Sequence, residues 1–168
     1  LKSVLCPYIA LESYNRFLCS QISVLNLFQI IPPQNFKNIP WKNGQGTTTE
    51  LAINHEGTVA DFDWRLSIAK VDKDGFFSDF SGYSRNLVLI SGKGLILEHS
   101  PSKVDKLEQL LQFSTFDGAS KTKATLVDGP ILDFNLMTNT NRFVGRLETF
   151  NNKLKLVSSK QQSVLFTR

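Results

Sequence analysis

Two histidines, two cysteines and one methionine are all the imidazole and sulfur ligands that this chain of 168 residues offers to a metal. An imidazole-based centre needs several histidines and a carboxylate converging on one ion. His55 and His99 form no H-x-H pair, so each reads as a solvated or hydrogen-bonded side chain. Cys6 and Cys19 lie thirteen positions apart, with no C-x-x-C pair and no histidine spacing that completes a zinc site. Two free thiols in a reducing cytosol follow as the expectation, with no metal and no cofactor. A G-x-S-x-G elbow is missing as well, which disfavours a serine nucleophile. Long apolar runs are absent too. Lys2, Glu12, Asn15, Arg16 and Gln21 interrupt residues 1–31 well short of the ~20 residues that span a bilayer. No short apolar core ends at an A-x-A-like site, so a signal peptide fits poorly and a cytoplasmic location is expected. The formal charge of +4 is spread along the chain, without a basic run or interleaved aromatics, and argues against nucleic acid as partner.

What the sequence does contain is enough apolar material for one core: 41% apolar residues, with thirteen phenylalanines setting a rigid, aromatic interior. Most of it is arranged with a period of two. "ISVLNLFQII" (22–31) reads as a strand stopped by Pro32 and Pro33. In "TTTELAIN" (47–54), Thr49, Leu51 and Ile53 share one face, and Thr48, Glu50 and Ala52 the other. In "FDWRLSIAKV" (62–71), Phe62, Trp64, Leu66 and Ile68 oppose Asp63, Arg65, Ser67 and Ala69. "NLVLISGKGLILEH" reads as a hairpin turning at Ser91-Gly92-Lys93-Gly94. Val104, Leu107, Leu110 and Leu111 recur at helical spacing among strand-like neighbours, so residues 104–111 stay open between helix and strand. "KATLV", "ILDFNLM", "RFVGRLETF", "KLKLV" and "SVLF" complete about ten short strands. Many short strands with little helix predict an antiparallel sandwich or barrel. Neither a repeat nor a linker divides it.

Five separated stretches carry more specific information: "PWKNGQGTTTEL" (40–51), "FDWRLSIAKV" (62–71), "DGFFSDFSGYSRNLVLISGKGLILEH" (74–99), "FDG" (116–118) and "LVDGPILDFNLMT" (126–138). Their order and spacing resemble the HutD/Ves family over about residues 35–145. The resemblance implies an all-β, cupin-like double-stranded β-helix, with two cupin-type halves in one chain, and an association with bacterial histidine utilisation. The domain is expected over 22–168, with 1–21 outside the match. Three positions depart from the family pattern. Gln45 stands for a third glycine and narrows the loop, Phe76 stands for a proline, and Asn139-Thr140 stand for an arginine pair, removing positive charge near Met137.

The candidate ligand-binding residues are Lys42, Asn43, Arg65, Arg85, Asp133 and Asn135. Lys42 and Asn43 offer an ammonium and an amide beside Gly44 and Gly46, which allow close backbone approach; a structural turn with Trp41 plugging the core weighs equally. Arg65, on the polar face of its strand with Ser67, can grip a carboxylate through two parallel hydrogen bonds. Asp133 and Asn135 share the polar face of theirs. Taken as isolated strands, both faces point to solvent; their place inside the family motifs points to a cavity lining. Arg85 is a second carboxylate-binding candidate, with a surface salt bridge to Asp79 as the alternative, and Tyr83 offers a hydroxyl. Trp64 and Phe134 read as core. This donor-rich, histidine-poor set suits a metal-independent protein that binds a small anionic metabolite; the resemblance implies a ligand such as urocanate or N-formyl-glutamate and a regulatory role in histidine utilisation. The rival is a metal-free isomerase or lyase with Asp133 as general base and Arg65 or Lys42 orienting the substrate; nothing in the sequence demands turnover. A protein-interaction module, a homodimer among them, is the third alternative.

Overall fold

The computed structural model of the chain describes residues 6–13, 31–54, 56–150 and 162–165. Among them run thirteen strands: β1 (Cys6–Ser13), β2 (Lys37–Pro40), β3 (Gly46–Ile53), β4 (Trp64–Val71), β5 (Gly75–Phe76), β6 (Tyr83–Ser91), β7 (Leu95–His99), β8 (Lys103–Leu107), β9 (Phe113–Asp117), β10 (Thr122–Leu126), β11 (Ile131–Asn139), β12 (Phe143–Phe150) and β13 (Gln162–Leu165). One 3-10 turn, Pro33–Asn35, follows Pro32. Every strand pairing is antiparallel.

The strands form a six-stranded sheet in the order β2-β3-β4-β11-β6-β9, a four-stranded sheet in the order β5-β10-β7-β8, and a three-stranded sheet in the order β12-β1-β13. Counting β4 as the first strand and β11 as the eighth, β4-β11-β6-β9 is 1-8-3-6 and β5-β10-β7-β8 is 2-7-4-5. That interleaving, in which the chain crosses between two facing sheets at every step except the β7–β8 hairpin, is the jelly roll of a cupin barrel. One such barrel is complete within residues 64–139. β2 and β3 extend its larger sheet, and β1 pairs along the whole of β12 in the separate three-stranded sheet.

Both faces of the large sheet are covered. Between the two sheets lie Val71, Leu87, Leu89, Leu95, Leu97, Leu107, Phe116, Ala124 and Ile131. On the outer face, Leu51, Leu66, Val88, Ile90, Phe134 and Leu136 pack with Leu147 of β12. Each fully buried leucine or phenylalanine contributes about 1.5–3 kcal/mol. Two-sided burial explains why β6 and β11 read as near-continuous apolar runs interrupted by a few polar side chains. Trp64 and Phe134 both belong to the outer core, as their alternation predicts.

The structure departs from the sequence pattern in three places. Gly92 and Gly94 do make a turn, with φ of 102° and 130°, yet β6 and β7 are not hairpin partners: they lie in different sheets. A Cβ at Gly94 would sit 2.6 Å from the Leu107 carbonyl oxygen, so the turn packs against the β8 end while carrying the chain from one sheet to the other. In β3 the register slips between Glu50 and Ala52. The bulge puts Leu51 and Ala52 both on the outer core, where strict alternation separates them. Residues 104–111 contain no helix. Val104 and Leu107 belong to β8, and Leu111 turns the chain in the left-handed region, φ 71°, its amide bonded to the Leu89 carbonyl at 2.8 Å. The strands expected at 22–31 and around "KLKLV" lie almost wholly outside the described residues, as do Cys19 and His55.

Candidate functional site

The site is built from the side chains that β3, β4, β6 and β11 turn into the barrel. Register places Met137 between Arg65 and Arg85, and Asn135 between Ser67 and Leu87. Glu50 pairs with Ser67 from β3. The polar faces of β4 and β11 therefore meet the interior and not solvent. Arg65, Ser67, Arg85, Asp133 and Asn135 are all nearly inaccessible, at 1–6% exposure. Alternation located these side chains on common faces; closure of the barrel decided that those faces are inside.

Arg85 is the central group. Its guanidinium carbon lies 5.1 Å from the ring centre of Phe77, 5.5 Å from Phe80 and 5.0 Å from Phe116, an aromatic cage that suits a cation. Its hydrogen bonding is much less complete. Nη2 donates a long bond of 3.5 Å to Asn135 Oδ1, and Nε, although buried, has no partner. The salt bridge to Asp79 does not form, because that carboxylate is bonded to the amide and hydroxyl of Ser81. Burial lowers the Arg85 pKa to about 10, opposed by the charge of Asp133 and assisted by that of Arg65. At neutral pH it remains a cation.

Asn135 joins this cation to Asp133. Its Nδ2 donates to Asp133 Oδ1, while Asp133 Oδ2 is buried without a partner. Loss of hydration pushes the Asp133 carboxyl up to about 7, against the attraction of Arg85 and the bond from Asn135. Arg65 is occupied differently. Its Nε donates to Glu50 Oε2 at 2.8 Å, and Glu50 Oε1 lies 3.7 Å from the ammonium of the exposed Lys37.

Lys42 and Asn43 stand apart from this interior set. Lys42 is exposed. Asn43 is spent within its own turn, its Oδ1 accepting from the Gln45 amide at 3.0 Å and its Nδ2 donating to Gln45 Oε1 at 2.9 Å. Trp41 donates from Nε1 to Thr48 Oγ1 at 2.7 Å and packs on the inter-sheet core. Gly46 lies so close that a Cβ there would collide with the Lys70 carbonyl oxygen and press on the Trp41 ring. The geometry of this loop is that of a structural turn. The Tyr83 hydroxyl is also committed, accepting from the Phe62 amide at 3.2 Å.

Two groups of functional interest carried weaker signals. Glu50 shares the polar face of its strand with Thr48, but nothing in the pattern pairs it with Arg65. The cage residues Phe77 and Phe80 come from the loop "DGFFSDFSG" and Phe116 from "FDG", which converge only in three dimensions. The second histidine, His99, is buried in the facing sheet. Its Nδ1 lies 2.9 Å from Thr122 Oγ1, its Nε2 3.3 Å from Asp105 Oδ2, and its ring 4.5 Å from Phe116. Asp105 also takes a hydrogen bond from Ser114 and an ion pair from Lys103 at 2.8 Å. Burial lowers the His99 pKa, outweighing Asp105, so the ring is neutral at pH 7. Among the described residues no three His, Cys, Asp or Glu side chains converge to hold a metal ion. The groups acting on Asp133 are the Arg85 charge and the Asn135 amide, while Arg65 is held by Glu50.

The HutD family model matches residues 33–168. The chain belongs to the HutD family. Among relatives of this HutD-family chain, an uncharacterized 21.2 kDa protein in the hutC 3' region of Pseudomonas putida is 35% identical over 84% of this chain and 74% of its own length. Protein Ves of Escherichia fergusonii is 39% identical over 60% of this chain and 52% of its own length. Two solved structures are similar: a conserved protein of unknown function from Pseudomonas aeruginosa PAO1 (38% identity, TM-score 0.61, 64% of this chain and 55% of that one), and HutD from Pseudomonas fluorescens SBW25 (39% identity, TM-score 0.58, 64% and 58%). The match thus spans little more than half the length of Ves and of both solved structures. Gln45, Phe76, Asn139 and Thr140 all lie at turns or strand ends. Gln45 abuts Gly75, Phe76 is exposed beneath the Lys121 ammonium at 4.8 Å, and Asn139 ends β11, where Thr140 bonds the Gly82 carbonyl.

Proposed function

We propose that the chain binds a small carboxylate metabolite in the barrel interior, without a metal, and modulates histidine utilisation through that binding. One observation carries the reading: Arg85 is a desolvated guanidinium with an unpartnered Nε, held in an aromatic cage. A buried donor left unpaired costs about 1–3 kcal/mol, and more when charged; a carboxylate accepting from Nε offsets that cost. The histidine link rests on the family and on the position of the P. putida relative beside hutC. Urocanate, N-formimino-glutamate and N-formyl-glutamate are ligands of the right chemistry, in the cytoplasm where such intermediates are made. Among the described residues no helix is long and apolar enough to cross a membrane.

The test is a thermal-shift titration with histidine, urocanate, imidazolone propionate and the two glutamate derivatives. One of them is expected to raise the melting temperature saturably, by an amount equivalent to about 2.7 kcal/mol at a hundred times its dissociation constant. Arg85→Met, still folded, loses the effect. If no intermediate stabilises the folded protein, the reading fails.

A second reading has one observation in its favour. Asp133, buried and with a pKa of about 7, has the properties of a general base acting on a small acid bound at Arg85. Turnover of an intermediate that Asp133→Asn abolishes, with binding kept, supports it; binding without turnover supports the first reading.

A further inference from the structure

The charged groups turned into the barrel balance one another. From β4 comes Arg65, from β3 its partner Glu50, from β6 Arg85 and from β11 Asp133. With all four ionised, two cations meet two anions and the interior has no net charge. The remaining titratable group that the facing sheet buries there, His99 on β7, is neutral at pH 7. Asp105 and Lys103 of β8 lie beyond it and pair with each other.

An anion entering at Arg85 therefore meets a carboxylate already there. Asp133 is linked to Arg85 through Asn135, and in a dry interior a second negative charge beside it is strongly unfavourable. Its other oxygen, Oδ2, is buried and faces no donor, so it has room for a proton. We propose that this site admits one carboxylate together with one proton: Asp133 is protonated as the ligand binds, Arg85 Nε–H and Asp133 Oδ2–H both donate to the ligand, and a single negative charge is matched by a single positive one. This rests on the reading of the interior as an anion site. No bond to carbon is made or broken; one proton moves from solvent to Asp133 for each ligand bound. Because the free carboxyl already has a pKa near 7, this proton costs little at neutral pH.

The consequence is a defined pH dependence. Below about pH 6.5 Asp133 is already protonated and affinity is constant; above about pH 7 each unit weakens binding by up to about tenfold. Formate and lactate are suitable monocarboxylate probes, since each keeps its single negative charge between pH 5.5 and 8.5, on the order of one unit or more above ordinary carboxylate values. Titrations of the whole chain by NMR, with calorimetry in two buffers of different ionisation enthalpy, read both affinity and proton uptake. The expected result is a dissociation constant that climbs with pH and about one proton taken up at pH 8. Asp133→Asn flattens the profile and abolishes the uptake. Binding that is independent of pH in the unaltered protein, with no proton uptake, overturns the proposal while leaving the anion site standing. If the folded protein binds neither probe at any pH, the anion reading fails and this inference fails with it.

Discussion

Arg65 Nε donates to Glu50 Oε2 at 2.8 Å, with both side chains buried between the sheets. The pair closes across neighbouring strands, next to a register slip in β3 that turns Leu51 and Ala52 outward. Arg65 is thereby neutralised by the chain itself, whereas Arg85 keeps an unpartnered Nε. Of two arginines with the same apparent promise in the sequence, one forms an internal ion pair and the other is a buried guanidinium with an unpartnered Nε, on which the proposed anion site rests.

Breaking the internal pair has a clear cost. Glu50→Ala leaves a buried guanidinium with no counter-charge, and is expected to destabilise by about 3–5 kcal/mol. In a domain of this size that lowers the melting temperature by roughly 6–20 °C. The double variant Glu50→Leu/Arg65→Met recovers most of the loss. A scanning-calorimetry comparison of the two variants checks it; equal destabilisation by both contradicts the pairing.

Asp133 predicts an unusual slope of stability with pH. Its folded pKa, about 7, stands above the ordinary value of 3.8, so between those limits the native state binds more protons than the unfolded one. Its contribution is full below about pH 4, declines through the window, and is lost above pH 7. Each pH unit inside it is worth about 1.4 kcal/mol. Asp133→Asn removes this component, and urea unfolding at pH 5 and pH 7.5 measures it. A steeper decline in the variant rules out the assignment.

His99 acts in the opposite sense. Its folded pKa is depressed, first by burial, so its contribution is present above the unfolded value of 6.5 and is lost as pH falls through the folded one. Thr122→Val removes the 2.9 Å partner of Nδ1 and is expected to cost about 1–3 kcal/mol. Chemical denaturation at pH 7.5 reads that loss; no change there means that the bond contributes nothing.

The turn between the sheets gives a backbone test. Gly94 has φ of 130° and no room for a side chain beside the Leu107 carbonyl. Gly94→Ala is expected to destabilise by about 1–3 kcal/mol, more than the same change in a relaxed loop. Gly129→Ala, with φ of 70° but nothing within 4 Å, is the comparison and costs less. Reversal of that order in denaturant midpoints counts against a packed turn.

Much of the architecture was legible because strands have a period of two. Residues 62–71 and 131–137 show their two faces plainly, and five motifs in order identify the family. Composition does not separate the two uses open to the turn at 91–94, since glycines with positive φ suit a two-strand hairpin and a sheet-to-sheet turn alike. Lys42 and Asn43 illustrate the same limit, since a glycine-rich loop with donors has one composition whether it grips a ligand or, as in this structure, bonds to itself.

The sequence by itself determined the all-β class, the residues that share each strand face, and the scarcity of imidazole and thiol groups. Tertiary structure alone decided that the polar faces of β4 and β11 lie inside, that Glu50 takes Arg65, and that Phe77, Phe80 and Phe116 enclose Arg85. Alternation is a local property carried by neighbouring residues. Which face is dry depends on strand pairings between residues 12 to 74 positions apart, and only closure of the two sheets creates the low-polarity interior that shifts Asp133 to about 7.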